Sequence, residues 1–164
     1  EALTDGDGPH ALAWRDWVEP AQVVTDAGGF EHHGVLDQLE TLRSPKVGLG
    51  GGAFMYIEPT RALVAVDVNT GGDTSPASTL KANLACAAAL PRALRLRGLG
   101  GQVVIDFAPM SKAHRKQIEA ALRSAFKTDS IDTAQVGWTP LGHFELQRKR
   151  ERLALGAMLD EVLA

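Results

Sequence analysis

Apolar positions in this chain come in short bursts separated by glycine, proline and small polar residues. The stretch ALAWRDWVEP (11–20) has strand-like apolar spacing and stops at Pro20. In GVLDQLETLR (34–43), Val35, Leu36, Leu39 and Leu42 recur at helical spacing and predict a short amphipathic helix. GLGGG (48–52) interrupts the pattern, and AFMYIE (53–58) then alternates as a strand does. ALVAVDVN (62–69) is almost continuously apolar, which predicts a strand buried on both faces. After the polar loop 70–79, residues 80–97 read as a long alanine-rich helix that Pro91 should kink or divide. GLGG (98–101) ends it, and QVVIDF (102–107) is a second apolar strand. Ser111 is placed to cap an amphipathic helix over 111–127. Short strands near 132–136 and 141–146 and a final helix over 147–163 complete the pattern. Strand, helix, strand, helix at this spacing predicts a right-handed βαβ unit and an α/β class, a mixed sheet flanked by helices.

Composition narrows the function classes. The chain has 164 residues, 45% of them hydrophobic and 23% charged, an ordinary globular balance. No apolar run is long enough for a membrane-spanning helix. A single cysteine, Cys86, excludes a disulfide framework and a cysteine zinc site within one chain, and with no export signal it predicts a cytoplasmic setting. The net charge of −3 conceals a split: residues 1–45 carry −7 and residues 46–164 carry +4. Basic residues gather at Arg92/Arg95/Arg97, Lys112/Arg115/Lys116 and Arg148/Lys149/Arg150/Arg152, which favours a polyanionic partner. The first 45 residues are expected to form an acidic N-terminal segment and residues 46–164 the main domain.

Candidate chemistry lies at the ends of the two apolar strands. VAVD (64–67) and VVID (103–106) both finish in aspartate. Paired in parallel, they bring Asp67 and Asp106 together at the carboxyl edge, where open α/β sheets bind ligands. Asn69 follows Asp67 by two residues and so shares its face. Two crowded carboxylates need a raised pKa or a cation between them, and with an amide oxygen they form a hard donor set suited to Mg²⁺. The plainer alternative makes each aspartate a cap, Asp67 for the turn into Thr70-Gly71-Gly72 and Asp106 for the loop before Pro109. The glycines at 48–52 lack the Gly-Lys-Ser/Thr of a phosphate loop, and His32, His33 and His143 lack zinc spacing. No serine sits in a nucleophile elbow. Trp14, Trp17 and Trp138 read as core or interface residues.

The same strands carry a family resemblance. GGAFMYIEPTRALVAVDVNTG (51–71), NLACAAALPRALRLRGLGGQVVIDF (83–107) and LGHFELQRKR (141–150) resemble the catalytic region of the ribonuclease E/G family, and FEHHGVLDQLE (30–40) resembles the segment before it. The resemblance implies a deoxyribonuclease I-like subdomain over 46–164, preceded by the tail of a ribonuclease H-like part. It further implies Mg²⁺-dependent endonucleolytic cleavage of single-stranded RNA, leaving 5′-phosphate and 3′-hydroxyl ends. The metal-binding aspartates fall on Asp67 and Asp106 and the supporting asparagine on Asn69. The RNA backbone would be held by Arg95, Arg97, Lys112, Arg148, Lys149 and Arg150.

Three positions depart from the family pattern: Ala85 stands where the resemblance expects a glutamate, Gly98 where it expects an aspartate, and Pro109 where it expects a second acid whose loss would weaken the site or its supporting hydrogen bonds. The stretch shows no oligonucleotide-binding S1 segment, no pocket for a 5′-monophosphate and no paired zinc cysteines. A homodimer here would have to form without a cysteine zinc link. The competing reading is a non-catalytic RNA-binding or scaffold module that kept the fold. A third is a Mg²⁺-dependent phosphatase or deoxyribonuclease using the same three residues.

Overall fold

The computed structural model describes residues 2–3, 23–24 and 26–163. The expected strand over 11–20, with Trp14 and Trp17, lies outside the described residues. The chain falls into two compact units, residues 1–43 and 44–164. In the first, β1 (Ala2–Leu3) and β2 (Val23–Val24) pair in parallel. Two helices follow, α1 (Gly29–His32) and α2 (Val35–Arg43). The second helix is the one its apolar spacing predicts.

The second unit is a six-stranded mixed sheet with helices. Its strands are β3 (Lys46–Gly50), β4 (Ala53–Pro59), β5 (Val64–Asn69), β6 (Gly101–Asp106), β7 (Thr133–Trp138) and β8 (Phe144–Arg148). They lie in the order β3-β4-β5-β6-β8-β7. Helix α3 (Pro76–Leu96) connects β5 to β6, and α4 (Lys112–Lys127) connects β6 to β7. A last helix, α5, spans Leu155–Leu163. Only β5 and β6 run parallel; every other neighbouring pair is antiparallel. The α/β class expected from the sequence is the class observed.

The core lies between one sheet face and the pair α3 and α4. Met55, Ile57, Val66, Val103, Ile105, Phe144 and Leu146 meet Cys86, Leu90, Leu94, Ile118 and Leu122, all at most 1% exposed. On the other face of the same strands, Tyr56 and Ala65 are half-buried and Asp67 and Asp106 are exposed. The expectation that 62–69 is buried on both faces is therefore corrected. Valines 64, 66 and 68 face the helices, while Ala65, Asp67 and Asn69 face away. Alanine at 65 hides the alternation that a polar residue there would have shown.

Four further expectations are corrected. GLGGG is not merely a break, because Lys46–Gly50 is a strand whose turn into β4 is made by Gly50, Gly51 and Gly52 at positive φ. Helix α3 starts at Pro76, four residues earlier than expected, with the Ser75 side chain accepting from the Ser78 amide. Of the kink or division expected at Pro91, the division does not occur: the residue lies buried inside one continuous helix. Finally, residues 147–148 belong to β8 and the last helix begins only at Leu155, because Arg148 is held by pairing with Gly101 and Thr133.

Candidate active site

The parallel register of β5 and β6 pairs Val64 with Val103, Val66 with Ile105 and Asp67 with Asp106. The two aspartates are thus direct neighbours at the carboxyl ends of the only parallel pair in the sheet. Asn69 donates from Nδ2 to Asp67 Oδ2 at 2.7 Å, which leaves the other carboxylate oxygen of Asp67 unengaged by that bond. Among the described residues neither aspartate accepts a backbone N–H, so the capping alternative has no support in the hydrogen bonding. Nor does a lysine or arginine neutralise either of them. Two adjacent carboxyl groups without a lysine or arginine partner suit a hard cation, with Asn69 holding one of them in place. No group of three or more His, Cys, Asp or Glu side chains is arranged to hold a metal among the described residues. The donor set here is two carboxylates and a supporting amide.

One neighbour was missed by spacing rules. His143 Nε2 lies 3.9 Å from Asp106 Oδ1, with the side chains 36% and 65% exposed. Phe144 pairs with Ile105 across β8 and β6, so the next residue outward on each strand, His143 and Asp106, come opposite one another. The turn carrying His143 is closed by the Thr139 amide on the His143 carbonyl at 2.8 Å and the His143 amide on Thr139 Oγ1 at 3.1 Å. Only the antiparallel register, 37 residues away in sequence, reveals the contact.

The loop after Asp106 is anchored from beneath. Asn83 is fully buried on α3, donates from Nδ2 to the Ala108 carbonyl at 2.9 Å, and accepts the Ala108 amide on Oδ1 at 3.0 Å. A single side chain thus satisfies both backbone polar groups of one buried residue two positions past Asp106. Pro109, next in the chain, is exposed.

The basic residues separate into two groups. Arg148 is completely buried, donates from Nη1 to Thr133 Oγ1 at 2.8 Å, and lies 3.3 Å from Asp129 Oδ1. Arg95 meets the other oxygen of the same buried aspartate at 2.9 Å. Arg97 is 8% exposed, donates to the Ser44 carbonyl at 3.1 Å, and has its pKa pulled below the usual range by burial. As backbone clamps for RNA, Arg97 and Arg148 are corrected: the fold spends both internally, and Arg95 is tied to Asp129. Lys112, Lys149 and Arg150 are exposed, with Lys149 paired to Glu151 at 3.0 Å. Trp138 is packed against Phe107 and Phe144 beneath Arg115 and donates to Glu119 Oε1 at 2.6 Å, a core role.

Fold and site together define an α/β protein with a carboxylate pair at the ends of the one parallel strand pair in its six-stranded sheet. The chain belongs to the ribonuclease E/G family, whose model matches residues 15–151. It is 35% identical over 128 residues to ribonuclease G of Salmonella typhimurium, covering 75% of this chain and 26% of that protein. It is 35% identical over 133 residues to ribonuclease E of Haemophilus influenzae, covering 77% and 14%. A chloroplastic ribonuclease E/G-like protein of Arabidopsis thaliana matches at 30% over 139 residues, covering 80% and 14%. The chain therefore spans about a quarter of the ribonuclease G length and about a seventh of the ribonuclease E length. No helix among the described residues is long and apolar enough to cross a membrane.

Proposed function

We propose that this chain is the catalytic part of a Mg²⁺-dependent endoribonuclease that hydrolyses phosphodiester bonds in single-stranded RNA, leaving 5′-phosphate and 3′-hydroxyl ends. It would act in RNA processing or decay in the cytoplasm. The observation that carries this reading is the direct pairing of Asp67 with Asp106, with Asn69 on Asp67, in a member of the ribonuclease E/G family.

Asp67 and Asp106 would hold the magnesium ion, which supplies charge neutralisation at the scissile phosphate and a more acidic water. The residues of the chain do the positioning. Asn69 fixes the rotamer of Asp67 by donating to one oxygen, and Asn83 fixes the loop beyond Asp106. Both carboxylates stand on paired strands of one sheet, so their separation is set by the backbone ladder rather than by flexible loops. Lys112, at the start of α4, and Lys149 and Arg150, after β8, are the exposed bases left to meet the RNA backbone.

The test is cleavage of an end-labelled single-stranded RNA with and without Mg²⁺, beside Asp106→Asn. Magnesium-dependent cutting that the variant lacks, with phosphatase-sensitive 5′ ends, is the expected result. One specific observation favours a second reading, a non-catalytic RNA-binding module: the pair has no third acidic ligand among the described residues, and Pro109 stands where the family resemblance expects a carboxylate. RNA binding without cleavage by the folded chain would select that reading.

A further inference from the structure

The register that pairs the two aspartates continues across the sheet. Lys46 pairs with Tyr56, Tyr56 with Asp67, and Asp67 with Asp106, so four strands contribute one straight row of directly opposed positions. In the adjoining row Gly48 pairs with Phe54 and Phe54 with Asn69. Alternation puts Lys46, Phe54, Tyr56, Asp67, Asn69 and Asp106 on the face turned away from the core. Strand spacing makes the Lys46-to-Asp106 row ~14 Å long.

This row is pre-arranged. Lys46 Nζ stands 4.1 Å from the centre of the Phe54 ring, and Phe54 meets Tyr56 edge to face with centroids 5.4 Å apart. Phe54 thus steadies both the ammonium group and the tyrosine. Both aromatic rings are half-buried and Lys46 is exposed. The glycine at position 48 leaves open the place beside Phe54 that a side chain would fill: nothing lies within 4 Å of where its Cβ would stand. Glu58, two residues beyond Tyr56, bounds the patch with negative charge on the side away from Asn69.

We propose that Lys46, Phe54 and Tyr56 form a nucleotide subsite continuous with the carboxylate pair. With the scissile phosphate over Asp67 and Asp106, the base of the neighbouring nucleotide stacks on Tyr56 and the next phosphate along the strand meets Lys46. This inference rests on the endoribonuclease reading above. The combination is what a single strand requires: unpaired bases expose ring faces to aromatic side chains, and each nucleotide brings one negative charge to a cation. Base stacking tolerates any sequence, so the subsite would supply grip more than selectivity.

The probe is a short single-stranded RNA carrying 2-aminopurine at each position in turn, titrated with the chain in EDTA so that no strand is cut. The unaltered chain and Tyr56→Phe are expected to quench one position by stacking. Tyr56→Leu is expected to lose that quenching and to weaken binding about tenfold or more. Lys46→Gln, at an exposed position that leaves the fold undisturbed, is expected to lower the salt slope of binding by about one phosphate contact. Asp106-dependent cleavage with unchanged quenching and salt slope in Tyr56→Leu and Lys46→Gln would overturn the subsite alone. An unaltered chain that neither binds nor cuts the RNA would overturn the endoribonuclease reading and the subsite with it. A chain that self-associates through this face, shown by Tyr56→Leu dissociating a dimer in sedimentation while quenching is absent, would also overturn it.

Discussion

Asn69 is the smallest unit on which the proposed chemistry depends. Its amide holds Asp67 at 2.7 Å, and an outer partner of this kind is worth about 10–100-fold in metal affinity or activity. Asn69→Ala is expected to fall by that factor in single-turnover cleavage while melting at the same temperature, since the residue lies outside the core. Cys86 makes the opposite case, a reactive group that the fold silences. It is fully buried against Met55, with Sγ and Sδ 3.6 Å apart, and burial pushes its thiol from an ordinary 9.0 up to about 12. The native chain is expected to resist a thiol reagent at pH 8 and to react stoichiometrically once unfolded by urea. The sign of the pH effect follows. Between pH 9.0 and about 12 the unfolded thiol ionises while the folded one stays neutral, so its contribution to stability is intact below pH 9.0 and falls as pH rises. Urea midpoints taken from pH 8 upward, compared with Cys86→Ala, measure that fall.

At the scale of elements, α3 ties the site together. Its N-terminus is capped by Ser75, and Asn83, two turns in, clasps the peptide at Ala108 just past β6. Its far end closes at Gly98, whose φ of +64° and the carbonyl oxygen of Leu153, 2.1 Å from where a Cβ would stand, exclude any side chain. The chain after β8 passes too close at this position for the aspartate that the family resemblance leads one to expect. Asn83→Ala would strand a buried N–H and a buried carbonyl, a cost on the order of 2–4 kcal/mol. It is expected to lower the unfolding free energy measured in urea by that amount and to reduce cleavage further than stability alone explains, because the loop beyond Asp106 loses its anchor. Equal activity per folded molecule would show that the loop needs no anchor.

In the second unit as a whole, core and candidate chemistry are divided between the two faces of the sheet. The helices α3 and α4 cover one sheet face with the core, and the acids stand on the other. Magnesium that binds only the folded carboxylate pair must stabilise the fold, by ~1.4 kcal/mol at ten times its dissociation constant. For a unit of this size that corresponds to a rise of ~3–6 °C in melting temperature. Calorimetry is expected to show this rise for the unaltered chain and none for Asp106→Asn. An equal rise in both would move the ion to some other part of the surface. High salt should weaken RNA binding through Lys46, Lys112, Lys149 and Arg150 and leave Arg148 unaffected, since that guanidinium is enclosed with Asp129.

Periodicity, strand-end acids and glycine positions were enough to find the α/β class, the helix over 111–127 and the two apolar strands. Those features are local, because side-chain spacing along a strand or helix follows directly from backbone geometry. The pairing of Asp67 with Asp106 was also within reach, once a parallel crossover was assumed. Position in three dimensions was not. The sequence marks Arg97 and Arg148 as bases like Lys149 and Arg150, yet burial turns the first two into structural residues and leaves the others exposed. Likewise, His143 reached Asp106, and Lys46 and Tyr56 joined the aspartate row, only through hydrogen-bonded register between strands distant in sequence. Local composition decides which segments form strands and helices. Register and layer packing decide which charges meet water, because they alone bring remote positions within a few ångströms of each other.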